Sequence, residues 1–198
     1  MPNTSATGGY LTPESTPVVA QDAALRAFIH NIIAGVTGLA NDRVRQAWQA
    51  TPAPVLPIET DWAAFAVVQQ SGDFDSYLSE NDTGLTANIR RDEVIDVLCT
   101  FYGPNCQRSA ALLSDGLQLS QNRAAMQSVG AGLVGFSPTV HAPELFNDRY
   151  IDRVDTTMTL RRQILRAYPI LSFLAAYGDV ETETESQQWV VDPQGVIP

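Results

Sequence analysis

The sequence predicts an α+β fold, in which an antiparallel β-sheet packs against two main α-helices. Residues 22–38 carry apolar side chains at three- and four-residue steps, which is typical of one buried face of a helix. Residues 150–164 instead alternate mostly apolar even positions with mostly polar odd positions, which is typical of a half-buried antiparallel strand. Because the elements follow the order helix, strands, helix, strands, we expect the helices on one face of the sheet.

Three segments are expected along the chain of 198 residues: an extended N-terminal arm over 1–21, a single α+β domain over 22–178, and a C-terminal strand and tail over 179–198. The arm is rich in Pro, Thr, Ser and Gly. Its start is neither basic nor apolar, so no secretory signal is expected. No apolar run reaches the ~20 residues that span a bilayer, so no membrane partner is expected.

Two helices are predicted. The first begins at Asp22 as N-cap and ends at Gly38. Its apolar face consists of Leu25, Phe28, Ile29, Ile32, Ile33 and Val36. The second follows Pro104 and covers about 105–128. Its apolar face consists of Ala110, Leu113, Leu117 and Ala124.

Strands are predicted over 44–49, 62–69, 87–102, 131–137 and 150–164, with an edge strand near the C-terminus. The strands at 62–69 and 87–102 are expected to pair as a hairpin across a polar loop, 71–84. The 150–164 strand would span roughly 50 Å at ~3.3 Å per residue. Because typical strands are shorter, we expect it to bend or to extend beyond its core, with an edge open to an added strand.

The net charge is −10, and all twelve cationic side chains are arginines. Duplex DNA is bound through positive surface, so this balance argues against a DNA-binding protein. It is compatible with a protein past which DNA moves without binding.

Cys99 and Cys106 are the only cysteines, and they bracket a Tyr-Gly-Pro turn. They could form a redox pair, half of a metal site, or two small apolar residues near a bend. Metal sites need closer spacing and further ligands, and neither His30 nor His141 has a partner at ligand spacing. We therefore expect free, packed thiols in a reducing compartment.

No catalytic or cofactor motif is present. The acidic loop fails the EF-hand pattern, since the fifth position counted from Asp73 is Tyr77. Nucleophile-elbow, phosphate-loop, dinucleotide and zinc-protease motifs are missing from the sequence. The sequence predicts a protein without catalysis, cofactor or bound metal.

The main basic concentration consists of Arg153, Arg161, Arg162 and Arg166. On a strand, Arg153 and Arg161 share one face with Asp155. This face is either a solvated surface with ion pairs or a contact with another subunit. The second interpretation is open because arginine suits bidentate interface pairs. The Glu181, Glu183 and Glu185 ladder could supply the opposite charge.

Several unusual strings occur in a characteristic order: GGYL at 8–11, VTGL at 36–39, the Trp62 strand, FYGPN at 101–105 followed by LLSDGLQLSQNR, and APELFNDRYIDRVDTTMTLRRQILRAYPIL at 142–171. Together they resemble a family from phages and prophages, the neck terminator or tail terminator proteins. The resemblance runs from Gly8 to about Leu171. It does not extend to the acidic loop or to the segment after Gly178.

The resemblance implies a small α+β virion protein of the neck, assembled in the bacterial cytoplasm without enzyme activity or cofactor. Tail terminators form a homohexameric ring that caps the head-proximal end of the tail tube and stops its elongation. The implied partners are other copies of the chain, the tail tube protein, the head-to-tail connector or stopper and, in contractile tails, the sheath protein. Genome DNA would pass through a negatively charged lumen without specific binding.

Candidate assembly residues follow from this role. They are Tyr10 and Leu11 in the arm, Arg153 and Arg161 on the long strand, and Trp189, Val190 and Val191 near the C-terminus. Two alternatives stay open: a head-completion, stopper or other tail-completion protein on the connector side, and a small cytosolic enzyme or ligand-binding protein.

Overall fold

The computed structural model describes residues 9–13, 21–51, 53–73, 75–80, 86–170, 176–181, 186–192 and 195–197, the last three ranges as backbone only. It confirms the α+β class, with a mostly antiparallel sheet and three α-helices among the described residues. The chain divides into two compact units. The first comprises 1–17, 75–91 and 164–198, and the second comprises 18–74 and 92–163. The predicted division into arm, domain and tail stays a prediction.

The elements alternate between helices and strands as the sequence predicts. The helices are α1 (Asp22–Thr37), α2 (Cys106–Gly116) and α3 (Ser120–Gln127), with a short 3₁₀ turn at Asn41–Arg43. The strands are β1 (Val44–Gln46), β2 (Trp62–Gly72), β3 (Tyr77–Glu80), β4 (Thr86–Tyr102), β5 (Ala131–Phe136), β6 (Val140–His141), β7 (Glu144–Phe146), β8 (Arg149–Ile151), β9 (Arg153–Pro169), β10 (Ala176–Glu181), β11 (Ser186–Asp192) and β12 (Gly195–Ile197).

The sheet of the second unit has the strand order β1-β2-β4-β9-β5, and β6 also pairs with β9. Strands β2 and β4 are antiparallel, from Trp62 opposite Tyr102 to Gly72 opposite Glu93. This confirms the predicted hairpin. The intervening segment is not one continuous loop, as predicted, because β2 reaches Gly72 and β3 pairs with the 87–90 part of β4.

Strand β9 is longer than predicted and has 17 residues. Over 154–162 it lies between β4 on one side and β5 with β6 on the other. The expectation of an open edge is therefore wrong for this part, because 131–141 returns to pair with it. The outer strand β5 has a bulge between Leu133 and Gly135, a feature that discourages edge-to-edge pairing.

The core of the second unit lies between the three helices and one face of the sheet. Its fully buried members include Ile29, Ile33, Val97, Phe101, Leu113, Leu117, Val154, Met158 and Leu160. The predicted end of α1 is confirmed, since Gly38 has φ 74° and donates its N–H to the Ala34 carbonyl. The predicted N-cap is wrong by one residue, because Gln21 occupies that position without a side-chain bond.

The predicted helix over 105–128 is two helices, separated by residues 117–119. The break follows Gly116, where a Cβ atom would lie 2.4 Å from Val36 Cγ1. The Asn122 amide donates to the Gly116 carbonyl at 2.8 Å and so satisfies the end of α2. Ala110, Leu113 and Leu117 are buried as predicted. The prediction that Ala124 is buried is wrong, because the break turns the apolar face of α3 so that Met126 and not Ala124 is buried.

The turn from β4 into α2 depends on Gly103. Its φ of 103° is a conformation that favours glycine, and a Cβ there would lie 2.6 Å from the Thr60 carbonyl oxygen. The Asp61 carboxylate accepts bonds from Asn105 N and Nδ2 at 2.8 and 2.9 Å. These contacts fix the strand-to-helix corner that places Cys99 and Cys106 in the core.

The first unit contains a three-stranded antiparallel sheet of order β10-β11-β12. The predicted C-terminal strand is present as β11, but it is the central strand of that sheet and not an edge. Glu183 and Glu185 lie outside the described residues.

Candidate functional site

The structure does not gather the predicted assembly residues into one cluster. Tyr10 is 97% exposed, and Leu11 is half-buried in an isolated β-bridge. Arg153 and Arg161 lie on the same face of β9, eight residues apart, which corresponds to about 26 Å along a strand. Trp189, Val190 and Val191 lie on β11, and their side chains are outside the described part of the chain.

Arg153 is the centre of an ionic network on the solvent-facing side of the sheet. Its Nε and Nη2 donate to the two carboxylate oxygens of Asp155 at 3.0 and 2.8 Å. Its Nη1 donates to Glu144 at 3.1 Å. The hydrogen bonds to Asp155 are the main cause that raises the pKa of Arg153 above its usual value. Asp155 and Glu144, both within its own chain, are therefore partners of Arg153, and the expected pairing with the Glu181 ladder stays a prediction.

A stack of four side chains crosses the same face. The Trp62 and Tyr102 rings are stacked, with centroids 4.1 Å apart and planes within 7° of parallel. The Arg45 guanidinium lies 5.9 Å from the Trp62 ring, and the Arg153 guanidinium lies 5.8 Å from the Tyr102 ring. The stack thus links β1, β2, β4 and β9 by cation–π and ring contacts. The cross-strand pairing that creates it is not evident from one sequence.

The network also holds the hairpin formed by β7 and β8. Tyr102 Oη donates to Glu144 at 3.4 Å, and the Arg153 bond reaches the same carboxylate oxygen. Burial is the main cause that raises the pKa of Tyr102, so this hydroxyl keeps its proton. The hairpin turns at Asn147 and Asp148, both with positive φ, as a two-residue hairpin turn requires.

The outer side of this hairpin is apolar and exposed. Leu145 and Tyr150 are directly opposite each other and are 60% and 71% exposed. Ile151, on the other side of the hairpin, is buried. Sequence reasoning missed this exposed pair, although the Asn-Asp turn between apolar residues could have indicated it.

Arg161 and Arg162 bind consecutive carboxylates of β4 on opposite faces of the sheet. Arg161 Nη2 donates to Asp92 at 2.8 Å, with 60% of the arginine side chain exposed. Arg162 Nε donates to Glu93 at 2.6 Å, and these side chains are only 6% and 5% exposed. Gln70 Nε2 also donates to Glu93 at 2.6 Å. The buried pair was missed, although an arginine at an inward, even position was a signal for it.

The two cysteines are free and buried, as predicted. Burial raises the pKa of Cys99 to about 12 and also raises the pKa of Cys106. Cys106, His141, Asp152 and Arg153 all line one cleft of about 270 Å³. The sequence did not indicate that these residues lie close together. A raised thiol pKa disfavours the thiolate that nucleophilic chemistry needs.

Within the described ranges, no group of three or more His, Cys, Asp and Glu side chains could hold a metal ion. Among the same residues, the helices are all too short or too polar to cross a membrane.

The fold and these contacts define a class of protein: a small α+β chain in which side chains of β9 are bonded to carboxylates of β4. The sequence profile described as phage neck terminator protein matches residues 23–185. Since this match covers most of the chain, the chain belongs to the phage neck terminator protein family. It is a structural protein of the phage neck and therefore of the virion. No curated protein matches the chain.

Proposed function

We propose that this chain is a tail terminator: it closes into a homohexameric ring on the head-proximal end of the tail tube, stops tube elongation and offers a docking surface to the head-to-tail connector. The family match over residues 23–185 is the observation that carries the proposal. A ring of this kind needs a heterologous interface, in which two different patches of one subunit meet.

Surface features of the chain support an assembly role. The Leu145–Tyr150 pair is an exposed apolar contact surface on a hairpin that Arg153 holds in place. Arg161 keeps most of its side chain exposed beside Asp92 and so can meet a carboxylate of a neighbour. Tyr10, Leu11, Trp189, Val190 and Val191 remain proposed interface residues.

The net charge of −10 on every copy supports a lumen that does not bind DNA. Phosphates are bound by cationic side chains, and four arginines, Arg149, Arg153, Arg161 and Arg162, already contact carboxylates. We propose a negative lumen through which the genome passes. A basic lumen in a reconstructed neck would contradict this part of the proposal.

The proposed function includes no catalytic step. The raised pKa of Cys106 argues against a cysteine nucleophile in the cleft that it shares with His141. We expect His141→Ala and Cys106→Ala phages to keep wild-type titres once folding of the variant chains is verified. A loss of titre with folded protein would favour chemistry or ligand binding in that cleft.

The decisive experiment disables this gene alone and images the particles by electron microscopy, with the gene supplied in trans as the control. Overlong or irregular tail tubes beside filled, tailless heads are the expected result. Finished tails of normal length beside separate or leaking heads would instead move the protein to the connector side, as a stopper or joining protein. Native mass spectrometry of purified necks then tests whether the ring contains six copies of the chain.

A further inference from the structure

A groove of about 190 Å³ lies between the start of α1 and the strands β1 and β2 of the second unit. Its apolar lining includes the buried side chains of Leu25 and Phe65 and the 75% exposed side chain of Trp48. Pockets for small molecules typically have volumes of roughly 300–1,000 Å³. The groove therefore suits a single large side chain of a partner protein better than it suits a cofactor.

Exposed aromatic side chains occur at two places in the described part of the second unit. One place is the groove, through Trp48. The other is the β7–β8 hairpin, where Tyr150 is 71% exposed and Phe146 is 36% exposed. Leu145 lies directly opposite Tyr150 and is also exposed. Tryptophan and tyrosine are enriched among the residues that dominate interfaces, and such residues tend to meet each other across an interface, so these two places are the favoured contact pair.

The two places also carry opposite charges that have no partner. Arg26 lines the groove and is half-buried, and Asp148 is exposed at the turn of the hairpin. Among the described residues, neither of these side chains has a hydrogen bond or an ion pair. A half-buried guanidinium gains more from a carboxylate than a fully exposed one does, because less water competes for it. The groove therefore favours a surface that presents a carboxylate beside an aromatic ring, as the hairpin does.

The hairpin and the groove lie toward opposite ends of β2. Tyr102 Oη donates to Glu144 of the hairpin, and Tyr102 lies opposite Trp62, the first residue of β2. Gln70, eight residues further along β2, lines the groove, and eight residues correspond to about 26 Å of strand. The two surfaces are thus separate patches of one unit. A ring needs a contact of this kind, in which two different patches of one subunit meet on neighbouring copies.

We propose that the β7–β8 hairpin of one copy docks into this groove of the next copy, with Tyr150 against Trp48 and Asp148 paired with Arg26. Every copy then donates one hairpin and accepts another, as a closed ring requires. The bond from Arg153 to Glu144 holds the hairpin in place before docking, which lowers the cost of ordering it. The inference rests on the proposed ring, because the ring supplies the next copy.

Charge reversal tests the ionic part of the contact in phage whose disrupted gene is complemented by the variant chain. We expect Arg26→Glu to lower the yield of complete necks and the phage titre at least tenfold, because two carboxylates would then face each other. Urea unfolding of the purified variant should stay near wild type. The matched control Arg43→Glu, at an exposed position of the 3₁₀ turn, makes the same change in net charge and should assemble normally.

Second substitutions at the hairpin turn should suppress this loss. Asp148→Lys restores a pair of opposite charges, and Asp148→Asn removes the repelling carboxylate while keeping a residue that tolerates the φ of 61° at this position. We expect necks and titre to recover when Arg26→Glu is combined with either substitution. A normal titre in Arg26→Glu alone, or a loss that neither substitution reverses, overturns the proposal.

Two differently tagged cysteine variants test the aromatic part of the contact. One chain carries Tyr150→Cys and a second carries Trp48→Cys, while the native Cys99 and Cys106 remain buried. We expect a disulfide-linked product with both tags after mild oxidation of necks assembled from the two chains. The matched control replaces the second chain with Val129→Cys, a residue that is 55% exposed after α3, and should give no such product. Necks that contain both chains but no mixed product overturn the proposal.

These readouts report the contact between copies and not the length of the tail. If the mixed disulfide forms but disruption of the gene leaves tails of normal length, then the terminator role fails and the contact stands. If tails are overlong and the neck contains a ring, but neither the disulfide nor the suppression is found, then the inference about the hairpin and the groove fails alone.

Discussion

Arg161 and Arg162 are consecutive residues of β9, and their partners Asp92 and Glu93 are consecutive residues of β4, yet the two ion pairs lie in opposite environments. The Arg161 pair faces solvent, whereas the Arg162 pair is almost fully enclosed. Each pair joins an arginine of β9 to a carboxylate of β4, so burial is the main difference between the pairs. A buried pair is expensive to break, because its loss leaves one charge without compensation. An exposed pair contributes little to stability but stays available to other partners.

Replacement of Arg162 should have the largest effect. We expect Arg162→Met to lower the free energy of unfolding by about 3–5 kcal/mol, since Glu93 would stay buried with only part of its hydrogen bonding. Urea unfolding of the purified chain measures this change.

The double variant Glu93→Leu with Arg162→Met sharpens the test. It removes both charges, so we expect much of the lost stability to return. The matched control is Arg161→Met, one residue away on the other face. Equal destabilisation by Arg161→Met and Arg162→Met would contradict the role assigned to burial.

The solvent-facing pattern of β9 could be predicted from sequence, and the partners of its arginines could not. Alternation of polar residues placed Arg153, Asp155 and Arg161 on one face, as observed. The partners Asp92 and Glu144 depend on the register between strands and on a hairpin, which are tertiary features.

The other features that the sequence analysis did not predict also depend on tertiary contacts. Helix α2 ends at Gly116, which packs closely against Val36 of α1, and local helix propensity does not reveal this tertiary contact. Burial of Arg162 depends on Glu93 lying opposite on β4. The predicted strand over 44–49 is too long, because β1 ends at Gln46 and Trp48 has a φ of 57°, which is not an extended conformation.

The buried thiol of Cys99 makes the folding stability of the chain depend on pH. Its folded-state pKa of about 12 lies above the reference value of 9.0, because burial disfavours the thiolate. The folded chain therefore holds this proton more tightly than the unfolded chain does. The corresponding stability is complete below pH 9 and is lost as the pH rises toward 12.

We expect wild-type stability to fall by about 2–3 kcal/mol more than that of Cys99→Ala between pH 8 and pH 11, at ~1.4 kcal/mol per pH unit. Chemical denaturation at each pH measures the difference, and Cys106→Ala is the matched cysteine control. Parallel pH profiles for wild type and Cys99→Ala would show that this thiol does not carry the effect.

Arg153 is intermediate between Arg161 and Arg162 in burial, because 28% of its side chain is exposed. We expect Arg153→Ala to destabilise the chain by about 1–2 kcal/mol, through loss of charged hydrogen bonds to Asp155 and Glu144. Hydrogen exchange should accelerate at the amides of residues 144–151, because Glu144 loses its main anchor.

Arg149→Ala is the control for this variant. Arg149 also lies on the hairpin, but its contact with Glu59 is 3.8 Å long and both side chains are strongly exposed. We expect no measurable loss of stability from it. Unchanged exchange in Arg153→Ala would show that the hairpin is held by Ile151 packing and not by the ionic network.

Arg161 should give the smallest effect on the isolated chain and the clearest effect on assembly. Because 60% of its side chain is exposed, we expect Arg161→Ala to cost only about 0.2–1 kcal/mol of folding stability, and less at high salt. If this face contacts a neighbour, then Arg161→Glu should reduce ring formation and phage titre while the unfolding transition stays near wild type. The matched charge reversal Arg108→Glu, at an exposed position of α2, keeps the net-charge change constant and should leave assembly intact. Intact rings and titre in Arg161→Glu would assign this face to solvent, whereas loss in both variants would indicate a general effect of added negative charge on a chain that already carries −10.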